Sequence, residues 1–191
     1  WLTSFTGSAG AAVVLKDKAA VFADGRYTLQ VRQQTDTKAF EPRDLVEEGP
    51  NGWLANNAPK GAKIGFDPWV HSAASADALR LAVAKAGATL VPTDGNPIDA
   101  VWQGRPDAPT AKAIPHAMNL AGESAESKRT RIAEDIKKSG ADAAIVSLAD
   151  SICWLLNVRG GDTPHTPFVL SYAILNSDGS ADWFVDERKI T

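Results

Sequence analysis

The sequence predicts an α/β protein built from two similar domains, each a mixed sheet flanked by helices. Three observations carry this. Short apolar runs alternate with segments of helical spacing along the whole chain. The stretch Gly104-Arg105-Pro106-Asp107-Ala108-Pro109 cannot hold regular structure and breaks the chain near its middle. A pattern of aromatic-Leu, two strands and Phe-x-Asp-x-Arg occurs twice. The boundary is expected at about residues 105–115, giving a first domain of 1–110 and a second of 111–191.

In order, residues 11–15 and 19–23 are apolar runs joined by Lys16-Asp17-Lys18, which reads as a β-hairpin. Asp24-Gly25 ends the second strand, and 26–35 reads as a helix. A strand is expected over 38–42, a short helix over 51–57, and a strand over 63–66 stopped by Asp67-Pro68. Ala76, Leu79, Val83 and Ala86 recur at helical spacing, so 72–86 is a helix, with Gly87 as its C-cap. A strand follows over 88–91, and Asn96-Pro97 opens a short helix ending near Trp102. Beyond the break, 124–139 reads as an amphipathic helix that Ser124 or Ser127 caps and Gly140 stops. A strand over 143–147 and a short helix or turn over 150–155 lead into an irregular stretch, 159–167. Strands over 168–175 and 182–185 form a second hairpin around Asn176-Ser177-Asp178-Gly179.

The repeat pairs Trp1-Leu2 and Phe22-Ala23-Asp24-Gly25-Arg26 with Trp154-Leu155 and Phe184-Val185-Asp186-Glu187-Arg188. The step from Trp to Phe is 21 residues in the first copy and 30 in the second, and the nine extra residues match 159–167. A helix and a strand precede the second copy, whereas the first copy opens the chain. The first domain is therefore expected to lack its opening helix and strand. The second is expected to stop where the first goes on, so that both are truncated.

Composition narrows the function. Twenty basic against 23 acidic residues leave a net charge of −3, which argues against a nucleic-acid surface. No apolar run approaches the roughly 18 residues of a membrane span. The only cysteine is Cys153, so no internal disulfide can form, and a cytoplasmic setting is the simplest reading. Cys153 sits in an apolar context and reads as a buried small hydrophobe rather than a nucleophile.

Few residues carry recognisable chemistry. His71, His116 and His165 have no partners at ligand spacing, so no metal site is expected within this chain. Gly7-Ser8-Ala9-Gly10 lacks a phosphate-loop pattern and reads as a tight turn. Asp24, Gly25 and Arg26 form a structural turn, with Asp24 as a cap, Gly25 permitting the bend and Arg26 able to reach a carboxylate. The stretch 159–167 is the most unusual. It sets Arg159, Asp162 and His165 among two glycines and two prolines. Such a loop suits binding; it reads equally as a linker with Arg159 and Asp162 as a surface ion pair.

The motifs resemble a known family. Trp1-Leu2-x-x-Phe5-Thr6-Gly7-Ser8-Ala9-Gly10, Phe22-x-Asp24-Gly25-Arg26-Tyr27-x-Leu29-Gln30, Ile64-Gly65-Phe66-Asp67-Pro68 and Asn96-Pro97-Ile98-Asp99-x-x-Trp102-x-x-Arg105-Pro106 resemble the first domain of three-domain Xaa-Pro aminopeptidases. Asp150-Ser151-Ile152-x-Trp154-Leu155-Leu156-Asn157-x-Arg159-Gly160-x-Asp162 and Pro167-Phe168-x-x-Ser171-Tyr172-Ala173 resemble their second. The resemblance implies two creatinase/prolidase N-terminal-type domains. It implies a parent metallopeptidase that removes a residue preceding proline, with a dinuclear manganese centre in a separate C-terminal catalytic domain. None of that centre's ligands can be assigned to this sequence. It also implies that this region is non-catalytic, limits access to the cleft and supports packing into a homodimer. Arg159, Asp162 and His165 are then candidates for substrate access or domain docking. A non-catalytic peptide- or protein-binding module of the same fold is the alternative.

Overall fold

In the first unit, short strands, the hairpin pair rich in Ala and Val, are separated by turns of polar residues. The computed structural model describes every residue, Trp1–Thr191. The chain divides into Trp1–Arg105 and Pro106–Thr191. The division falls there because the backbone N–H groups of Ala111 and Ala113 already bond to Asp162 and the Lys189 carbonyl.

Strands β1 (Gly10–Val14) and β2 (Ala19–Ala23) form the antiparallel hairpin, with Ala11 opposite Phe22 and Val14 opposite Ala19. A single 3-10 turn, Gly25–Tyr27, leads into α1 (Thr28–Gln34). Strand β3 (Glu41–Asp44) then returns parallel to β2, giving the order β1-β2-β3. This strand lies later than the 38–42 expected, because Asp36 ties the backbone of residues 38–40 into a turn first.

Helices α2 (Gly49–Asn57) and α3 (Ala73–Lys85) flank the parallel pair β4 (Lys63–Phe66) and β5 (Thr89–Pro92). Short α4 (Pro97–Val101) starts on the Asn96 cap. Strand β2 has two buried faces. Ala20 and Phe22 pack with Trp53, Leu54, Leu79 and Val83 of α2 and α3. Val21 and Ala23 pack with Val31 of α1 and with Phe5, Tyr27 and Phe40.

The second unit opens with β6 (Ile114–Pro115) and one-turn α5 (Met118–Ala121), neither of which shows as a periodicity. The amphipathic helix α6 (Ala125–Lys138) is capped by Ser124, whose hydroxyl accepts from the Ser127 N–H. Strand β7 (Ala143–Val146), helix α7 (Ala149–Leu156) and two-residue β8 (Val158–Arg159) follow. The second hairpin is β9 (Tyr172–Asn176) with β10 (Ala181–Phe184), and the sheet runs β10-β9-β7, all antiparallel. Residues 168–171, expected as part of the strand, are instead drawn out of it. Their backbone bonds go to Asp162 and Cys153. Ile136, Leu155 and Leu175 form the core between this sheet and its two helices.

The two hairpins share their register. Tyr172 opposes Phe184 as Ala11 opposes Phe22, and Leu175 opposes Ala181 as Val14 opposes Ala19. One of the nine extra residues lengthens the second hairpin's turn; the other eight precede it. The opening aromatic-Leu pair is not structurally equivalent. Trp154 and Leu155 lie in a helix, whereas Trp1 and Leu2 lie in none and Trp1 stacks on Trp102.

Candidate functional site

The stretch 159–167 projects from the end of α7 and is held at its base by a dense set of bonds. Asn157 ends α7 in the left-handed region (φ 51°). Its side-chain N–H2 donates to the Glu123 carbonyl at 2.9 Å, and its Oδ1 accepts from Lys128 Nζ at 2.7 Å. Lys128 also donates to the Trp154 carbonyl at 3.0 Å and lies 4.5 Å from the centre of the Trp154 ring. This buried ammonium therefore faces the carbonyl end of α7, where the helix dipole favours a cation.

Arg159 starts the loop. Its Nη1 donates to the carbonyls of Cys153 and Val158, at 3.2 and 2.8 Å. The expected ion pair with Asp162 is not formed. Asp162 turns inward instead and takes Lys189 at 2.7 Å, with side-chain exposures of 0 % and 5 %. Its carboxylate also accepts from the Ala111 N–H at 3.2 Å and the Leu170 N–H at 2.7 Å. Lys189 donates further to the Leu170 carbonyl at 3.0 Å. Each oxygen of the buried carboxylate is thus bonded, as a buried charge requires.

Gly160 fits where a larger residue would not, because a Cβ there would lie 2.7 Å from Val169 Cγ2 and 2.8 Å from the Phe168 carbonyl oxygen. The far end of the loop closes on a bridge between Thr163 and Thr166. His165 sits exposed at that tip with φ 60°. The three candidate residues therefore separate. Asp162 is buried at the base, Arg159 is half-buried against α7, and His165 is presented to solvent.

The other singled-out turn is a hydrogen-bonded clasp. Asp24 caps the 3-10 turn, its Oδ1 accepting from the Arg26 N–H at 3.0 Å and from Arg26 Nε at 2.8 Å. Arg26 holds the Asp24 carboxyl below the usual range. Asp186 and Arg188 repeat the arrangement after β10, at 3.0 and 2.9 Å. The freedom of Gly25 is not needed here: its φ lies outside the left-handed region, and Glu187 fills the matching place.

Lys189 and Lys128 were not visible as site residues in the sequence. Each sits in a polar run that reads as solvated surface. For Lys189 the only signal was its position next to the repeated Asp-x-Arg. No three His, Cys, Asp or Glu side chains stand together as a metal would need, and His71, His116 and His165 do not fit such a group.

Against known proteins, residues 1–101 and residues 104–191 each match a model of the creatinase/prolidase N-terminal domain. The chain belongs to the creatinase/prolidase N-terminal domain family. Two such domains thus stand in tandem. Aminopeptidase P2 of Arabidopsis thaliana is 37% identical over 100% of this chain and 27% of its own length. The "Probable Xaa-Pro aminopeptidase P" of Fusarium vanettenii is 38% identical over 99% of this chain and 31% of its own length. The crystal structure of an X-prolyl aminopeptidase from Caenorhabditis elegans superposes on the tandem domains with a TM-score of 0.90 at 28% identity. It covers 100% of this chain and 31% of that one. That protein is described as a cytosolic enzyme with a di-nuclear active site. The chain spans less than a third of the length of these relatives. No helix is long and apolar enough to cross a membrane.

Proposed function

We propose that this chain is the non-catalytic N-terminal region of an Xaa-Pro aminopeptidase, a metallopeptidase that removes the residue ahead of a proline at a peptide's N-terminus. The observation that carries the reading is the match of the whole chain to 27–31% of the length of such enzymes, across two consecutive domains of N-terminal type. The parent acts in the cytoplasm as a homodimer, with a dinuclear manganese centre. Its ligands lie in a C-terminal catalytic domain, which is this region's partner. Bound in that domain, the metal pair would supply an activated water, and the residues of this chain would hold neither metal.

The region's task is to wall the cleft, so that a free peptide end enters and a folded chain does not. The loop 159–167 is the part assigned to that task. A preshaped polar loop loses little entropy on meeting a partner. Its fixed base supports this role: Asp162 positions the loop, Arg159 fixes its exit from α7, and His165 is the group offered outward. Working bounds for the two domains are 1–110 and 111–191.

Assaying the full-length gene product and the 191-residue chain side by side on an Xaa-Pro peptide with added manganese tests the reading. Turnover is expected from the full-length protein and none from the chain alone. Metal-dependent turnover by the chain would overturn the assignment of this region. An inactive full-length protein that still binds peptides would make the region part of a binding module.

A further inference from the structure

An aspartate followed by glycine can cyclise on its own backbone, because the glycine nitrogen, with no side chain beside it, is able to reach the aspartate Cγ. The reaction needs a free carboxyl, a free N–H and a backbone able to turn. The chain carries three Asp-Gly dipeptides, and the fold ties two of them. Asp24 Oδ1 is held by the N–H and Nε of Arg26. Asp178 Oδ1 accepts from the N–H and hydroxyl of Ser180 at 2.8 and 2.6 Å, and the Gly179 N–H donates to the Asn176 carbonyl at 3.0 Å. The related amide pair, Asn51-Gly52, sits in α2 with the Gly52 N–H on the Glu48 carbonyl at 3.2 Å.

Asp94-Gly95 is open on every count. Both residues are exposed, in the bend between β5 and α4. The Asp94 carboxylate accepts no hydrogen bond and meets no cation, and the Gly95 N–H donates to nothing. Gly95 has φ 87°, and no atom lies within 4 Å of where a Cβ would stand, so the bend can turn without collision. The flanks, by contrast, are fixed. The N–H and hydroxyl of Thr93 donate to the Phe66 carbonyl at 2.9 and 3.1 Å. Asn96 Nδ2 donates to Asp67 Oδ2 at 2.9 Å, and Asn96 Oδ1 caps α4 by accepting from the Ile98 N–H at 2.9 Å.

We infer that Asp94-Gly95 is a site of spontaneous isoaspartate formation, and that the change releases the Asn96 cap of α4. The Gly95 nitrogen attacks Cγ of the protonated Asp94 carboxyl. A C–N bond forms, the C–OH bond breaks, and the hydroxyl leaves with the amide proton as water. The product is a five-membered succinimide. Water then opens the ring. Addition at Cγ restores aspartate. Addition at the main-chain carbonyl carbon leaves a free α-carboxylate and a chain that runs through Cβ and Cγ. The link from Thr93 to Asn96 thereby gains one main-chain carbon, while its ends are tied to the adjacent residues Phe66 and Asp67. Thr93 is held by two bonds and Asn96 by one to Asp67, so the added length is taken up at Asn96. Neither step involves the peptidase reaction.

The test is to age the full-length protein in warm neutral buffer, folded and in parallel in urea. Peptide mapping with electron-transfer fragmentation then distinguishes isoaspartate from aspartate at residues 24, 94 and 178. In urea the three are expected to react alike. In the folded protein residue 94 is expected to lead the other two by about fivefold or more, the effect of one hydrogen bond that each of those keeps. Asp94→Glu would have to close a six-membered ring. It is expected to remove the product and to leave the thermal midpoint unchanged, since the Asp94 side chain touches nothing. Equal rates at the three residues in the folded protein overturn the inference, as does product at residue 94 in urea alone. Hydrogen exchange of the Ile98 amide reads the cap. It is expected to be about fivefold faster in the isoaspartyl fraction than in Asp94→Glu aged the same way. Equal exchange would overturn the release of the cap.

Discussion

Tyr27 and Lys189 occupy equivalent places, each the last residue of the 3-10 turn that follows its hairpin, and each reaches back to the segment before that hairpin. The Tyr27 hydroxyl meets Ser8 Oγ at 2.7 Å; the Lys189 ammonium meets Asp162 at 2.7 Å and the Leu170 carbonyl at 3.0 Å. One geometry is filled by a neutral hydrogen bond in the first unit and by a buried ion pair in the second. The exchange accompanies the longer insert, because the eight added residues need an anchor that the first copy has no use for.

That anchor is expected to dominate the second unit's stability. Lys189→Met leaves a buried carboxylate with two backbone donors and no counter-ion. The loss should be about 3–5 kcal/mol, read from urea unfolding of the chain. The double substitution Asp162→Asn with Lys189→Met should recover part of it, because no net charge then remains buried. A single-variant loss below about 1 kcal/mol would show that the pair is solvated in solution.

The repeated Asp-x-Arg clasp makes a prediction in acid. The side-chain hydrogen bond from Arg188, with help from its backbone N–H, lowers Asp186 from 3.8 to about 2. The folded value lies below the unfolded one. The clasp's contribution is therefore fully present above about 3.8 and is lost as pH falls through about 2. The carboxyl carbon of Asp186 should titrate near that lower value by NMR. Arg188→Met should move its midpoint back toward the ordinary carboxylate range.

Two glycines that look alike in sequence should behave differently. Gly160→Ala sets a Cβ within 3 Å of both a side chain and a backbone carbonyl, and should cost about 1–3 kcal/mol. Gly25→Ala meets nothing within 4 Å at an ordinary φ, and should be neutral or stabilise by about 0.4–1 kcal/mol. Thermal unfolding of the two variants distinguishes these outcomes.

Much of the fold was legible because periodicity and punctuation are local. The 63–66 strand is fixed by an apolar run stopped at Asp67-Pro68, and α6 by its Ser124 cap and Gly140 stop. The pairing of Ile114 with Arg159 was not legible. A two-residue ladder between partners 45 residues apart leaves no pattern in either segment. The late start of β9 has the same cause, since Asp162 and Cys153 take the N–H groups of Leu170 and Val169. At the candidate site, Arg159, Asp162 and His165 could be chosen by their types. Their separate fates could not, because the choice between Arg159 and Lys189 as the partner of Asp162 is made by tertiary packing.

That separation gives the proposed role of the loop its sharpest test. His165 holds a left-handed backbone (φ 60°) at the exposed tip. Any loss on its replacement in the full-length protein must come from what the tip touches or from that backbone conformation. His165→Asn suits the same conformation and should leave the unfolding midpoint unchanged. If the tip restricts the cleft, His165→Asn should alter KM for longer Xaa-Pro peptides more than for dipeptides, with kcat held. Arg159→Ala removes two bonds to carbonyls at the end of α7 and should cost about 1 kcal/mol, with the peptidase falling only as folded enzyme is lost. Wild-type KM for every peptide length in His165→Asn would return the loop to a purely structural part. A shift confined to Arg159→Ala would move the contact from the tip to the base.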